Sequence, residues 1–378
     1  MDKRRACILG AFSADAATMG FHWLYSQEKI LSLAATKPEF YSPKVEDYKG
    51  VGYFAHPDKI VGDLSHYGEQ AWVMLSGLAK NNNQYDKQVY QDTFRDHFGY
   101  GGKFVGYIDR PTRQTLDEIY HSESESLKAT NNIPFDGENR KVLLTKVLAA
   151  AKLHHGNELL NAVESIAARE PNSVESKKYV TALVDAMAGG EAYLGADDDQ
   201  LPAISQLPVL VASHSEPKNL FTDSESSIRV TNNNARAIDF GQVATRLLDS
   251  LIQGISIDDA IESAVGRGNE KTQLLLRNGL NCDKDVLGVT KEFGMNCDVG
   301  SGMVSTLCNL RSAVSFEDAI RRNIYAGGDN CGRSILLGAA AGIIFGIGGD
   351  KGVPTDWVGK ISQSTNIQKM VDQVLNIE

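Results

Sequence analysis

Asp329, Asn330, Cys331 and Arg333 bring an acid, an amide, a thiol and a guanidinium together directly after the double glycine Gly327-Gly328. Glycine adopts backbone angles that other residues avoid. The first turn of a helix presents unpaired N–H groups and the positive end of a dipole. The apolar run Ile335–Phe345 that follows reads as that helix, so the four polar residues stand at a ready-made polar site. A tight turn closed by a helix cap is the plainer reading of the same residues. The helix itself is built from small residues: Gly338, Ala339, Ala341 and Gly342. Each glycine costs a helix about 1 kcal/mol against alanine. Grouping small residues makes sense where backbones approach closely, which predicts a central helix packed on several sides.

The elements that must position this site are helical. Ala71, Met74, Leu75, Leu78 and Ala79 follow the spacing of one buried helix face, as do Leu144, Val147, Leu148 and Ala151, and Ala237, Gly241, Ala244, Leu248 and Leu251. Tyr179, Leu183 and Ala186 repeat the pattern more weakly. Ser256 and Ser315 each precede acidic residues that suit a first helical turn, and read as helix caps. Strand alternation is absent; Leu207–Ala212 is the best strand candidate and reads equally as a buried helical turn. Thr36–Ile60, Asn131–Arg140, His214–Ser227 and Arg267–Asp298 read as polar connections. The expectation is an all-α, single compact helical domain over residues 1–378, with long loops converging on helix starts.

Composition narrows the function classes. The chain has 378 residues, 42% of them hydrophobic, enough for a sizeable core. A net charge of −10 argues against nucleic-acid and anionic-membrane partners, which need a basic surface. It leaves room for a phosphorylated small molecule in a local basic pocket. The five cysteines are scattered without a CxxC pair, which argues against zinc and a disulfide framework and for a reducing, cytoplasmic setting. The basic start and apolar follow-on of residues 1–23 are interrupted by Asp15 and read as a first helix. Ile335–Ile347 is shorter than the roughly 18 residues a membrane span needs.

GGDNCGRSILLGAAAGIIFG resembles the C-terminal signature of the ADP-ribosylglycohydrolase family. Gly10-Ala11 with Ala14-Asp15-Ala16, the segment Gly62–Leu78, and Thr231–Leu248 resemble further family segments in the same order. The resemblance spans nearly the whole chain. It implies the family's fold and its activity, hydrolysis of ADP-ribosyl glycosidic bonds by two Mg²⁺ ions held on oxygen ligands. The family's Thr-Asp-Asp-Thr falls on His66, Tyr67, Gly68 and Glu69, and the Pro-x-Glu position near the N-terminus on His22. Asp329 keeps the first acid of the C-terminal run, while Cys331 and Gly332 take the next ligand positions. Thr231 is kept and Asn232 replaces the histidine after it. A thiol is a soft ligand that Mg²⁺ does not select. Asp63 or Glu69 could stand in only with a rearranged loop. No cofactor is therefore expected, and no paired Mg²⁺ site at Asp329.

The matched positions imply one shared cleft with a remodelled, metal-free site. His22, His66, Glu69 and Cys331 are its candidate catalytic residues; Trp23, Tyr67, Asn232, Asn330 and Arg333 are its candidate contacts to an ADP-ribose-like small molecule. Cys331 at a helix start beside Arg333 is placed for thiolate character, with His66 or His22 as its base. A small buried cysteine and satisfied core histidines are the alternative. The HYGEQ and GGDNC forms further resemble a divergent branch that includes jellyfish J1-crystallins and fish selenoprotein J. Three readings stay open: a hydrolase of altered or lost activity, a crystallin-like structural protein, and a module that binds ADP-ribose or a nucleotide without cleaving it.

Overall fold

The computed structural model describes residues 2–99, 101–130, 142–143, 145–147, 150, 156–169, 173–187, 195–214 and 218–377. Among these the elements are helices, and extended backbone pairs only at isolated bridges such as Leu24 with Gly52 and with Gly328. The helices form for the reasons the pattern gave. His66–Lys80 buries Ala71, Met74, Leu75 and Leu78, and Ala235–Ile252 buries Ala237, Gly241, Ala244, Leu248 and Leu251. Ser256 and Ser315 cap their helices by accepting from the backbone N–H groups of Asp259 and Asp318. Tyr179, Leu183 and Ala186 fall in Ser173–Met187. Val147 is buried in a smaller core with Leu143, Val163, Ala167, Tyr179 and Val180. Leu144, Leu148, Ala151 and the connection Asn131–Arg140 lie outside the described residues.

One open reading is decided and two are corrected. Leu207–Ala212 is helical, part of Leu207–Ser213, with Pro208 in its first turn where a missing N–H costs nothing. The proposed connection His214–Ser227 overlaps the helix Leu220–Thr231. Arg267–Asp298 holds two helices, Glu270–Leu280 and Val286–Phe293. These two were hidden because their buried faces are narrow: Glu270–Leu280 buries only Thr272, Leu276 and Gly279. Their starts are nevertheless marked, by the capping side chains of Asn269 and Asp285.

The organising pair is Lys3–Thr18 against Asn330–Phe345. The second helix is buried from Asn330 through Ile343, with Ile344 and Phe345 partly covered. Its contact with the first is backbone to backbone. A Cβ on Gly338 would fall on that of Ala14 and 2.5 Å from the carbonyl oxygen of Gly10, and one on Gly342 would fall on the carbonyl of Ala6. Ala6, Gly10 and Ala14 repeat every four residues, as do Gly338 and Gly342, so each helix presents one smooth stripe. Both helices therefore begin or end next to the same region, where Asp15, Thr18 and Asp329 gather.

Gly338→Ala tests this contact. Ala is the better helix former by about 1 kcal/mol, but overpacking against backbone costs about 1–3 kcal/mol because carbonyls cannot rotate aside. The steric effect should win, lowering the urea midpoint; an unchanged or higher midpoint would show that the helices are not held at this distance.

Candidate functional site

Gly327 and Gly328, at φ 72° and 65°, fold the chain back just before the central helix. A side chain on Gly328 would strike the carbonyl of Met295. With that space clear, Trp23 N–H donates to Gly328 O, Gly328 N–H to Leu24 O, and Asp329 N–H to Met295 O, each at 2.8 Å. Three segments distant in sequence thus meet at Asp329, the N-cap of Asn330–Phe345.

Asp329 is fully buried and both carboxylate oxygens are engaged. Oδ1 accepts from Gly332 N–H at 3.1 Å and from His22 Nε2 at 2.9 Å; Oδ2 accepts from the Tyr67 hydroxyl at 2.5 Å. Burial opposes ionisation of Asp329, but the His22 and Tyr67 hydrogen bonds and the nearby histidines outweigh it and hold its pKa below the usual carboxylate value. Burial depresses the pKa of His22 despite its Asp329 bond, and depresses that of His56 further. Both rings are thus neutral, and the network fixes their tautomers. His22 donates through Nε2, so its Nδ1 accepts from His56 Nε2 at 2.7 Å. The relay Tyr67–Asp329–His22–His56 then ends on a buried acceptor, His56 Nδ1, that has no hydrogen-bond partner within the chain.

His66 stacks close by, its ring 3.9 Å from that of Tyr67 and 5.7 Å from that of His22. Its Nε2 lies 3.1 Å from Asp109 Oδ2. The two groups are near enough to attract but are not aligned for a hydrogen bond, so both His66 nitrogens and Asp109 Oδ2 remain without one. Trp23 completes the cluster, its ring 4.5 Å from that of His22.

Below this layer, Asp15 is sealed in the interface. It accepts from the Ser65 backbone at 2.7 Å and from the Ser65 hydroxyl at 2.5 Å. Burial outweighs these bonds and pushes its pKa up to about 7. A Cβ on Gly68 would collide with Asp15 Oδ2. Gly68 therefore has no side chain because the Asp15 carboxyl occupies that space.

The remaining candidates divide. Cys331 is fully buried, its sulfur 3.4 Å from Thr18 Oγ1. Burial and the negative charges of Asp15 and Asp329 raise its pKa well above the usual thiol value. This works against thiolate character, and the helix start beside it is already capped by the Asp329 carboxylate. Arg333 does not turn to Cys331; it donates to Asn323 Oδ1 at 2.9 Å and Gly327 O at 2.5 Å, and burial lowers its pKa to about 10. Asn330 is buried, with neither side-chain polar atom hydrogen-bonded. Glu69 points into a different cluster, accepting from His97 at 2.9 Å and pairing with Lys59 at 3.4 Å. Asn232 holds the loop at Asp198, donating to its carbonyl at 3.0 Å. His22, Trp23, His66, Tyr67 and Asp329 are thus one contact cluster, and Glu69 and Asn232 are bound elsewhere.

Sequence reasoning missed His56, Asp109, Asp198, Tyr107 and Cys297. Asp198 stands in the acidic run Asp197–Asp199 and is buried as the ion-pair partner of Arg110. Cys297 is half-buried, and burial together with the charge of Asp329 pushes its pKa to about 12. Only the acidic run was visible as a signal. A separate groove of about 690 Å³, lined in part by Leu280, Cys282, Val286 and Cys308, is bordered by none of these site residues.

Among the described residues the elements are helices, and a buried acid-and-histidine cluster stands at the start of a small-residue helix. The chain belongs to the ADP-ribosylglycohydrolase family, whose model matches residues 1–378. It is similar to crystallin J1A of Tripedalia cystophora, 22% identical over 377 residues, with 99% of this chain and 96% of that protein covered. Crystallin J1B of the same organism is 20% identical over 383 residues, covering 100% and 97%. Among solved structures, an ADP-ribosylglycohydrolase-related protein complex matches in fold with a TM-score of 0.56 at 13% identity, over 100% of this chain and 98% of that one. No helix among the described residues is long and apolar enough to cross a membrane.

Asp15 gives this site a pH signature. Its folded pKa lies above the unfolded value of 3.8, so its contribution is fully present below that value and lost as pH rises through about 7. The loss is roughly 4 kcal/mol, since each unit is worth 1.36 kcal/mol. Asp15→Asn mimics the protonated acid and should flatten this slope. Urea unfolding at pH 4.5, 6 and 7.5 measures it; parallel profiles for the two proteins would refute the assignment.

Proposed function

We propose that this protein binds an ADP-ribose-like small molecule in a cleft that works without the family's Mg²⁺ pair, so that metal-dependent release of ADP-ribose is lost. The observation that carries the reading is the engagement of Asp329: one oxygen is taken by His22 and Gly332, the other by Tyr67. Two Mg²⁺ ions require several hard oxygen ligands in near-octahedral shells. The residues do not fit that demand. Asp15 accepts from Ser65 on both oxygens, Gly68 offers no ligand, and Cys331 is a protonated thiol. Among the described residues no group of three His, Cys, Asp or Glu side chains has metal-binding geometry.

In place of metal ligands the cleft offers hydrogen-bonding groups. His56 Nδ1, Asp109 Oδ2 and both His66 ring nitrogens are buried without a hydrogen bond in the chain, and an imidazole or carboxylate in that state retains bonding capacity. Such a set suits the hydroxyl groups of a ribosyl unit, each of which both donates and accepts. The Tyr67–Asp329–His22 hydrogen bonds hold the proton on His22 Nε2 and keep the His22 ring fixed beneath the ligand.

A second reading has its own support. The full-length similarity to crystallins J1A and J1B favours a protein retained for its stable fold, with no ligand required.

Calorimetry with ADP-ribose in EDTA and in Mg²⁺, together with release assays on ADP-ribosylated protein, separates the readings. The expectation is equal binding in both buffers and no Mg²⁺-dependent release. Absence of binding in both favours the crystallin-like role, and release that requires Mg²⁺ overturns the proposal. Cys331→Asp alone should not create tight Mg²⁺ binding, because Tyr67 and Gly68 still supply no carboxylate.

A further inference from the structure

Beside the buried His22–His66 cluster stand three aromatic rings, Trp23, Tyr53 and Tyr107, reached from it through Trp23 and His66. The Trp23 ring centre lies 4.9 Å from that of Tyr107, with an interplanar angle of 86°. It lies 5.8 Å from that of Tyr53 at 51°, and Tyr53 and Tyr107 are 6.1 Å apart at 65°. Trp23 and Tyr107 are half-buried and Tyr53 is exposed, so the group is open to solvent.

Two further features mark this ring group as built. Trp23 has φ 61°, a left-handed backbone that a bulky residue rarely adopts. It is held there by its N–H bond to Gly328 O and by the bond its carbonyl accepts from Tyr53 N–H at 3.0 Å. Such strain persists only where surrounding structure imposes it. Beside the rings, Asp109 is 2% exposed; its Oδ1 accepts from Thr112 N–H at 2.7 Å while Oδ2 has no hydrogen bond. The His66 ring, 5.4 Å from that of Tyr107 and 3.1 Å from Asp109 Oδ2, connects this carboxylate to the rings.

We propose that Trp23, Tyr53 and Tyr107, with Asp109 beside them, form a binding site for an organic cation of the alkylammonium class. Aromatic faces are electron-rich and attract a cation packed against them. A sugar or nucleobase lies flat on one face, whereas rings leaning on one another at 51° to 86° present an inclined surface on which a compact, rounded group such as a methylated ammonium packs. Asp109 supplies the opposite charge, and an anion at this place would be repelled by it. The net charge of −10 draws cations to the protein as a whole. This site shares Asp109 and His66 with the ADP-ribose reading, and the Tyr53 and Tyr107 rings are its own.

Calorimetry on the full chain with choline and with its uncharged carbon isostere, 3,3-dimethylbutan-1-ol, isolates the charge because the two share one shape. Choline should bind at least about tenfold more tightly. Tyr107→Leu should weaken choline about tenfold, whereas Tyr107→Phe should keep it, since the ring face remains; Asp109→Asn should weaken choline without affecting the isostere. Equal affinity for the two ligands, no choline binding, or full binding by Tyr107→Leu would overturn the proposal. Should Asp109→Asn fail to fold, the half-buried Tyr107 pair still decides it. Choline binding without ADP-ribose binding supports this site and sinks only the ribosyl reading; the reverse sinks only this one.

Discussion

The approach of Lys3–Thr18 to Asn330–Phe345, glycine against glycine at Gly10, Gly338 and Gly342, sets the conditions for everything around it. Helices at this distance leave no room for water between them. Asp15, Thr18 and Cys331 lie at the end of the contact and are sealed by it. Their chemistry follows from that seal. A buried acid or thiol keeps its proton unless hydrogen bonds and opposite charges repay the lost hydration. Cys331 has a neighbouring hydroxyl and two nearby acids, and so stays a thiol.

Asp15 and Asp329 show how that balance is decided. Both are fully buried carboxyls. Asp15 receives two hydrogen bonds, both from Ser65, and burial prevails. Asp329 receives bonds from His22, Tyr67 and the Gly332 backbone, has histidines beside it, and ionises readily. A hydrogen bond to a charged group contributes about 1.5–3 kcal/mol, so the His22 and Tyr67 bonds together are of the size needed to reverse the outcome. The same balance makes Asp329 the fixed negative point of the cluster and Asp15 an acid that holds its proton as pH falls below about 7.

The replacements relative to the family pattern are mutually consistent. Gly68 clears the space that the Asp15 carboxyl fills, Tyr67 supplies the hydroxyl that Asp329 accepts, and His22 takes the other oxygen. Each change would leave a void or an unpaired polar atom without the others. Among the buried groups without a hydrogen bond, His56 Nδ1, His66 and Asp109 Oδ2 lie beside this network, close to the Trp23 and Tyr107 rings.

The sequence by itself determined several of the helices and the order of those it marked. Apolar spacing marked His66–Lys80 and Ala235–Ile252, serines marked the starts after Ser256 and Ser315, and small residues marked the buried central helix. These signals are local, because a helix joins residues three and four apart. The cluster of His22, His66, Tyr67 and Asp329 was legible only through an ordered set of family motifs. Tertiary structure alone decided which groups carry protons and which polar atoms pair. His56 and Asp109 stand in connecting segments with no motif and gain their place by contact with His22 and His66. Glu69 pairs with His97 because two helices pack side by side, and Cys331 is buried between helices more than 300 residues apart in the chain, as its contact with Thr18 shows. Protonation depends on what surrounds a group from every direction, and a linear pattern records only what precedes and follows it.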